Sequence, residues 1–484
     1  MSDNFKRNTI SGLKWTFLDY FVVKGISFAT NIILARMLSP KEFGIMGAIA
    51  IIIAMANTMV DAGLTSSLIR TQNIDNDDYS TVFITNFATS LLLYIILFFL
   101  APLVADFYNL PILVIILRVY GLVFVFTAIY AVQMTVLVKK LQFKKITLLN
   151  IPGIIVGAII GITMGYLEFG VWSLVCSYLS IQVVNMVIFT YYSSWKISFN
   201  FSIDKFKYHL NYGYKLLLTG LLGNIFNNIY NVIIGKLFPV RHLGYFERAN
   251  TFSQYPSTVL IMMIGKVSFP ILSEYQSDLT ELKHKFQEFV KSSFYVSVLL
   301  MLQCAFLGNS FFTQVLGDKW QEAVYYFSYF CYAGMFLPIH ALNTNILKIM
   351  GRTDLIFKME VVMKAIILVT LGVALFFGIR AIAIAILINA IILLLLNVYF
   401  VSKVIPYSFT EQLADLFRNL VPGLFILGAF RFIKHINPVF DLQVFFLMLF
   451  CFFSCVFYII FGKVLSLKLS IYIIEWIENK VIKR

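Results

Sequence analysis

Residues Asn31 to Gly44 read NIILARMLSPKEFG, and residues Asn231 to Gly244 read NVIIGKLFPVRHLG. Each copy carries an apolar run to a cation (Arg36, Lys236), crosses a short proline-containing turn and arrives at a glycine. At the fixed offset, Asn31/Asn231, Ile33/Ile233 and Gly44/Gly244 are identical, and Arg36/Lys236, Ala35/Gly235, Lys41/Arg241 and Phe43/Leu243 are conservative. A second echo links QMTVLVKK (Gln133–Lys140) to NTNILKIM (Asn343–Met350). One passage written twice at matched distance marks an internal repeat, and its surroundings decide what is repeated.

Those surroundings are apolar. Of 484 residues, 60% are hydrophobic and 13% charged, against about 25% charged in a soluble domain. Apolar runs of 18 or more residues recur from end to end, each long enough to cross a hydrocarbon layer about 30 Å thick as a helix. Lipid offers backbone groups no hydrogen-bond partners, so the runs are helices or strands of a closed barrel. Segments such as AIAIAILINAIILLLLNVYF (Ala381–Phe400) lack the alternation of barrel strands. The pattern predicts an all-α polytopic membrane protein with fourteen spans, near 12–36, 43–68, 80–104, 112–137, 147–167, 170–192, 211–237, 250–272, 290–311, 321–347, 357–377, 380–401, 417–434 and 442–463. No small-residue cleavage site follows the first apolar run, which reads as a retained span, not a signal peptide.

The net charge of +14 reports topology. With the N-terminus inside, about 24 of the 38 Lys and Arg fall in inside segments, about 9 in outside segments and about 5 within spans. The richest inside loop is KKLQFKK (Lys139–Lys145). Both termini are then expected in the cytoplasm, with basic loops against anionic membrane lipid. No soluble domain is present to bind nucleic acid. The five cysteines sit mostly inside spans as small apolar residues, and the five histidines are scattered without a ligand set. No cofactor or metal is expected.

Six spans separate the two copies. Six is even, so both copies enter the membrane in the same direction, as parallel repeats related by an axis along the membrane normal. The expected organisation is an N-terminal six-helix bundle (1–195), a cytoplasmic linker (196–210), a C-terminal six-helix bundle (211–402) and two additional helices with a cytoplasmic tail (403–484). Transporters of this design hold substrate between the halves and rock one against the other. The fifth span carries Gly153, Gly157, Gly161 and Gly165, a smooth ridge for close helix packing that could also let helices slide.

Ionisable groups in hydrocarbon are costly and usually face a bundle interior or water. Lys24 lies mid-way along the first span, with Asp19 more than one turn before it; Asp61 is toward the inner end of the second. Arg118 is in the fourth, Lys215 opens the seventh and Lys266 is near the inner end of the eighth. Glu360 and Lys364 have the spacing of a local helical ion pair. Lys215 can also snorkel to headgroups. Asn31, Asn224, Asn227, Asn228 and Asn231 either bond across helices or contact a sugar. Inward cations on the first and eighth spans suggest an anionic substrate carrying phosphate. The acidic DNDD (Asp75–Asp78) reads as a helix cap in preference to a metal–nucleotide site.

The segment from Ala35 to Ile69 resembles the first-to-second span region of bacterial oligosaccharide flippases, the polysaccharide transporter branch of the multidrug/oligosaccharidyl-lipid/polysaccharide exporter superfamily. Arg36, Leu38, Pro40, Phe43–Gly44, Asp61 and Gly63 carry the resemblance. In the second half, GYFERA (Gly244–Ala249, with Arg248) leads through Pro256 to FPILS (Phe269–Ser273, with Pro270). The resemblance implies a flippase, not an enzyme. It would carry an undecaprenyl-pyrophosphate-linked oligosaccharide repeat unit across the bacterial inner membrane for surface polysaccharide synthesis, in contact with polysaccharide assembly proteins. Lys24 matches the first-span cavity cation of such flippases, as Lys where relatives often have Arg, which weakens bidentate phosphate binding; Lys266 is the eighth-span counterpart. Lys215 and Arg118 complete the candidate substrate cations, and Asp19 and Asp61 are candidates for ion coupling or gating. Two alternatives stand beside this reading. An ion-coupled exporter of small amphipathic cations would want acids where the deep charges are mainly basic. A membrane glycosyltransferase or polymerase would need a substantial catalytic loop, and the outside loops are short.

Overall fold

The computed structural model describes residues 22–61, 63–437 and 444–464. Among these, every regular element is helical. Helix α1 covers 22–37. It is followed by α2 (Pro40–Asp61), α3 (Leu64–Arg70), α4 (Asn76–Tyr108), α5 (Leu113–Tyr120), α6 (Leu122–Lys139), α7 (Phe143–Tyr166), α8 (Val171–Tyr192) and α9 (Ile203–Leu237). Then come α10 (Val240–Glu274), α11 (Leu279–Ser310), α12 (Gln321–Gly334), α13 (Leu337–Ile349), α14 (Thr353–Phe376), α15 (Ile379–Ser402), α16 (Phe409–Ile436) and α17 (Val444–Val464). Eleven helices in the described residues are long and apolar enough to cross a membrane. Of the remaining expected spans, the first is described from residue 22, the tenth is broken into α12 and α13, and the fourteenth is α17, whose apolar stretch Phe446–Gly462 is shorter.

Local chemistry explains the breaks. The expected second span, 43–68, ends at Asp61, and Gly63, at φ 71°, starts α3 in a left-handed conformation that glycine adopts without steric cost. Asp61 Oδ1 accepts from the Thr65 N–H at 3.2 Å, covering one of the open donors of α3. The acidic run at Asp75–Asp78 is a capping box: Asp75 accepts from the Asp77 and Asp78 N–H groups, and Asp78 accepts from the Asp75 N–H.

The second echo is a conformational identity. After α6, Lys140 sits at φ −81°, ψ 5°, Leu141 at φ 55° and Gln142 at φ −87°, ψ 52°. After α13, Met350 sits at φ −80°, ψ 6°, Gly351 at φ 69° and Arg352 at φ −91°, ψ 55°. Their N–H groups bond backward in the same pattern, Lys140 to Val136, Leu141 to Val138 and Gln142 to Leu137, against Met350 to Ile346, Gly351 to Lys348 and Arg352 to Leu347. The left-handed position is glycine in one half and an exposed leucine in the other. Leucine there is strained by about 1 kcal/mol, so Leu141→Gly is expected to stabilise the protein by up to that amount despite the greater freedom of unfolded glycine. A small rise in melting temperature in detergent checks this; a fall would mean that the Leu141 side chain contributes more than the strain removes.

The chain forms two compact units, the first reaching to Gly244 and the second beginning at Tyr245. In the first, the glycine ridge of α7 lies on α8. A methyl at Gly153 would overlap the Asn185 side chain, at Gly157 it would sit 2.7 Å from the Ser177 carbonyl, and at Gly161 2.8 Å from Ser177 Cβ. The Ser177 hydroxyl uses this closeness to donate to the Gly157 carbonyl at 2.7 Å. Gly165 faces Leu34 and Met37 of α1 instead. In the second unit, α11 packs against α12, α13, α16 and α17, burying Phe286, Phe294, Phe306 and Phe312. Helix α16, read from sequence as an appendage, is tied to α11 through Asp415. That carboxylate accepts from Lys291 (3.1 Å), Gln287 (2.5 Å) and Tyr407 (2.8 Å). Large apolar side chains are exposed along α4 (Leu92, Phe99, Leu103) and α14 (Val361, Val369), the surface that lipid covers.

Candidate functional site

The repeated passage meets itself. A Cβ built on Gly44 would overlap the Val240 carbonyl, and one on Gly244 would overlap the Pro40 carbonyl and lie 3.1 Å from the Gly44 nitrogen. Pro40 and Val240 are corresponding positions of the repeat, so the contact is reciprocal: each copy places its glycine on the first helical residue of the other. Backbone against backbone at this separation admits only glycine.

From this junction α2 and α9 run antiparallel in contact along their length. Asn224 Nδ2 donates to the Ala54 carbonyl (3.0 Å) and to Thr58 Oγ1 (2.6 Å). A methyl on Gly220 would meet Thr58 at 2.8 Å. Further on, one on Gly63 would lie 2.7 Å from the Gly213 carbonyl. The seventh span is therefore joined to the second by small residues and interhelical amide bonds, the usual adhesives of helices in lipid. Of the two readings of the asparagines, Asn224 takes the cross-helix one. Lys236 closes the junction end by donating to the Phe107 carbonyl at 2.7 Å.

The opposite end of the seam holds a polar cluster that sequence inspection missed. His209, fully buried, lies between Ser67 Oγ (2.8 Å from Nδ1) and Asp78 Oδ1 (3.1 Å from Nε2). Lys205 pairs with Asp78 Oδ2 at 3.1 Å and with Asp75; its ammonium helps to hold the exposed Asp75 carboxyl down at about 2. Lys139 caps the end of α3, donating to the carbonyls of Leu68 (3.1 Å) and Thr71. Arg70 stacks on Tyr212, 4.7 Å from the ring centre. Beneath lie Leu64, Leu68, Val82, Phe83, Val132, Val136 and Trp195. The cap reading of DNDD accounts for one of the three bonds of the Asp78 carboxylate; the other two go to Lys205 and His209 of α9. The signal available in the sequence was the polar opening of α9, IDKFKYHLNYGYK.

The remaining candidates disperse. Lys24 is exposed on α1, and among the described residues no acid lies within ion-pair distance of it. Next to it, a methyl on Gly25 would meet no described residue within 4 Å. Lys215 is exposed on α9, 5.8 Å from the Tyr214 ring centre. Arg118 stays within the first unit, its guanidinium 4.2 Å from the Phe98 ring centre and its Nε donating to the Phe98 carbonyl at 3.3 Å. Asn31 donates to the Ser27 carbonyl at 2.8 Å, Asn227 is exposed and Asn231 is buried. Arg36 is exposed, Pro40 and Gly44 are buried, and Arg248, Pro256 and Pro270 lie within α10. Asp19 and the Lys266 side chain lie outside the described residues. Glu360 and Lys364 stand 4.0 Å apart, at the spacing of a helical pair.

This helix order, with two like passages opening corresponding span pairs, is a fold found in solved flippase and multidrug-transporter structures. The inward-closed structure of the lipid II flippase MurJ superposes with a TM-score of 0.76, covering 94% of this chain and 99% of that one at 15% identity. An inward-facing multidrug resistance MATE transporter of the MOP superfamily gives 0.59, over 81% and 98% at 16% identity. The chain belongs to the polysaccharide biosynthesis protein family, whose model matches residues 33–325, from the third residue of the first copy of the repeated passage to beyond the second. It is 22% identical over 360 residues to the lipopolysaccharide biosynthesis protein WzxC of Escherichia coli K12, covering 74% of this chain and 73% of that protein. It is a multi-pass membrane protein of that family.

Proposed function

We propose that the chain is a flippase that moves a lipid-linked oligosaccharide repeat unit, carried on undecaprenyl pyrophosphate, across a bacterial inner membrane for surface polysaccharide synthesis by alternating access. The family membership over residues 33–325 carries this reading. Three further observations support it: the fold shared with a lipid II flippase, the lipopolysaccharide-biosynthesis relative, and the exposure of Lys24 on α1 and Lys215 on α9. Lys24, Lys215 and Lys266 supply positive charge toward the pyrophosphate as point charges. In this reading the fourteen spans form two six-helix repeats (1–195 and 211–402) and a C-terminal pair, both termini are cytoplasmic, and polysaccharide assembly proteins take up the flipped product.

The test is translocation in proteoliposomes. Purified protein is reconstituted with a fluorescent undecaprenyl-pyrophosphate oligosaccharide, and the fraction accessible to an external glycosidase is followed over time. Protein-dependent exposure of the inner-leaflet pool is expected. Absence of exposure, with uptake of a small cationic dye in the same vesicles, would overturn the reading in favour of an amphipathic-cation exporter.

A further inference from the structure

We propose that His209, held between Ser67 and Asp78, is a proton-binding site that works as a clasp, with protonation releasing the first turns of α9 from α3 and α4. The proposal concerns only the first unit and stands apart from the identity of the transported molecule.

The geometry sets the charge state. The Asp78 carboxylate only accepts, so His209 Nε2 carries the hydrogen and Nδ1 is the bare nitrogen that receives the Ser67 hydroxyl. An incoming proton must land on Nδ1, and the Ser67 hydroxyl must then turn from donor to acceptor beside a buried cation. Asp78 has little charge to spare for the result, because its other oxygen already serves Lys205 and the Asp75 N–H. The charged and titratable groups facing the ring come from every neighbouring element: Asp75 and Asp78 at the start of α4, Lys205 and Tyr208 on α9, and Lys139 on α6, with the Ser67 hydroxyl on α3. Set against Asp78 are two ammonium groups and complete burial. Burial first, and the two ammoniums after it, hold His209 below the ordinary histidine value, although Asp78 pulls the other way. His209 lies in the polar opening of α9, ahead of the apolar stretch that begins at residue 211.

The sign follows from linkage. A released ring in water titrates near the ordinary value of about 6.5, and the clasped ring below it. The released state therefore binds protons more tightly, so the clasp is fully made above about pH 6.5 and is lost as pH falls through the lower, clasped value. Release frees what the ring joins: Ser67 in the short helix α3, Asp78 in the α4 cap, and with them the end of the α2–α9 seam at Gly63 and Gly213.

Hydrogen exchange measured by mass spectrometry on the full chain in nanodiscs tests this without any substrate, so failure of the flippase reading would leave it standing. Protection of segments 64–71 and 203–212, corrected for the intrinsic pH dependence of exchange, is expected to fall roughly tenfold between pH 7.5 and 5.5, while the ridge segment 153–161 stays constant. In His209→Gln, which keeps one donor and one acceptor but cannot titrate, the fall should vanish. Constant protection in the wild type, or the same fall in His209→Gln, overturns the proposal. Should His209→Gln fail to fold, Ser67→Ala replaces it: loss of the hydroxyl that favours the neutral ring should move the midpoint to higher pH, and an unmoved midpoint also overturns the proposal.

Discussion

Gly44→Ala is expected to reduce glycan export to below about a tenth of wild type at normal membrane abundance, and Gly244→Ala to do the same. In each case one added carbon would overlap a backbone carbonyl of the opposite copy, Val240 or Pro40. A carbonyl in a helix cannot turn aside as a side chain can, so the turns must separate, at a cost of about 1–3 kcal/mol. In the proposed alternating-access cycle that cost falls on the state in which the junction is closed, and a cycle is slowed when one of its states is disfavoured. Gly25→Ala is the control. Among the described residues nothing crowds that glycine, and alanine favours the helix by about 1 kcal/mol, so export should be unchanged or improved. The assay is complementation of a flippase-deficient strain with protein levels read by blot. Normal export by both junction variants at normal abundance would show that the contact relaxes without consequence.

Lys24→Ala is expected to abolish export while leaving folded protein in the membrane, and Lys24→Arg to retain much of it. Lys24 is 13 residues from Met37 at the end of α1, about 20 Å along a helix rising 1.5 Å per residue. An ammonium at that depth costs several kcal/mol unless water or an anion meets it. The described residues offer no acid partner, and the flank at Gly25 is open. Charge-assisted bonds to phosphate contribute about 1.5–3 kcal/mol each, so loss of the cation predicts a fall of tenfold or more. Arginine keeps the charge and adds a planar fork that suits phosphate. Normal export by Lys24→Ala at normal abundance would remove Lys24 from the substrate path and move the search to Lys215 and Lys266.

Much of the fold was legible because its determinants are local. A run of apolar residues, a Pro-containing turn and a glycine at the matched position can be read from Asn31–Gly44 and Asn231–Gly244 without knowing what they touch. The same holds for the capping box at Asp75 and for the glycine ridge of α7, whose four-residue spacing drifts by only about 40° a step and so keeps Gly153, Gly157 and Gly161 toward one neighbour. The clasp was not legible. His209 lies 142 residues from Ser67 and 131 from Asp78, the three belong to three helices, and the histidine carries no spacing signature.

By itself the sequence determined that this chain is a helical membrane protein built from a repeat, because the period of apolar residues and the positions of Pro and Gly act through backbone geometry within a few residues. Only the tertiary structure decided why glycine stands at the repeated position. Gly44 and Gly244 could each have served their own turn, yet the need arises from a carbonyl about two hundred residues away. The tertiary structure likewise decided which deep polar groups are spent on packing, as at Asn224 and Arg118, and which face open space, as at Lys24. A side chain's partners follow from long-range packing, which no local pattern of residues encodes.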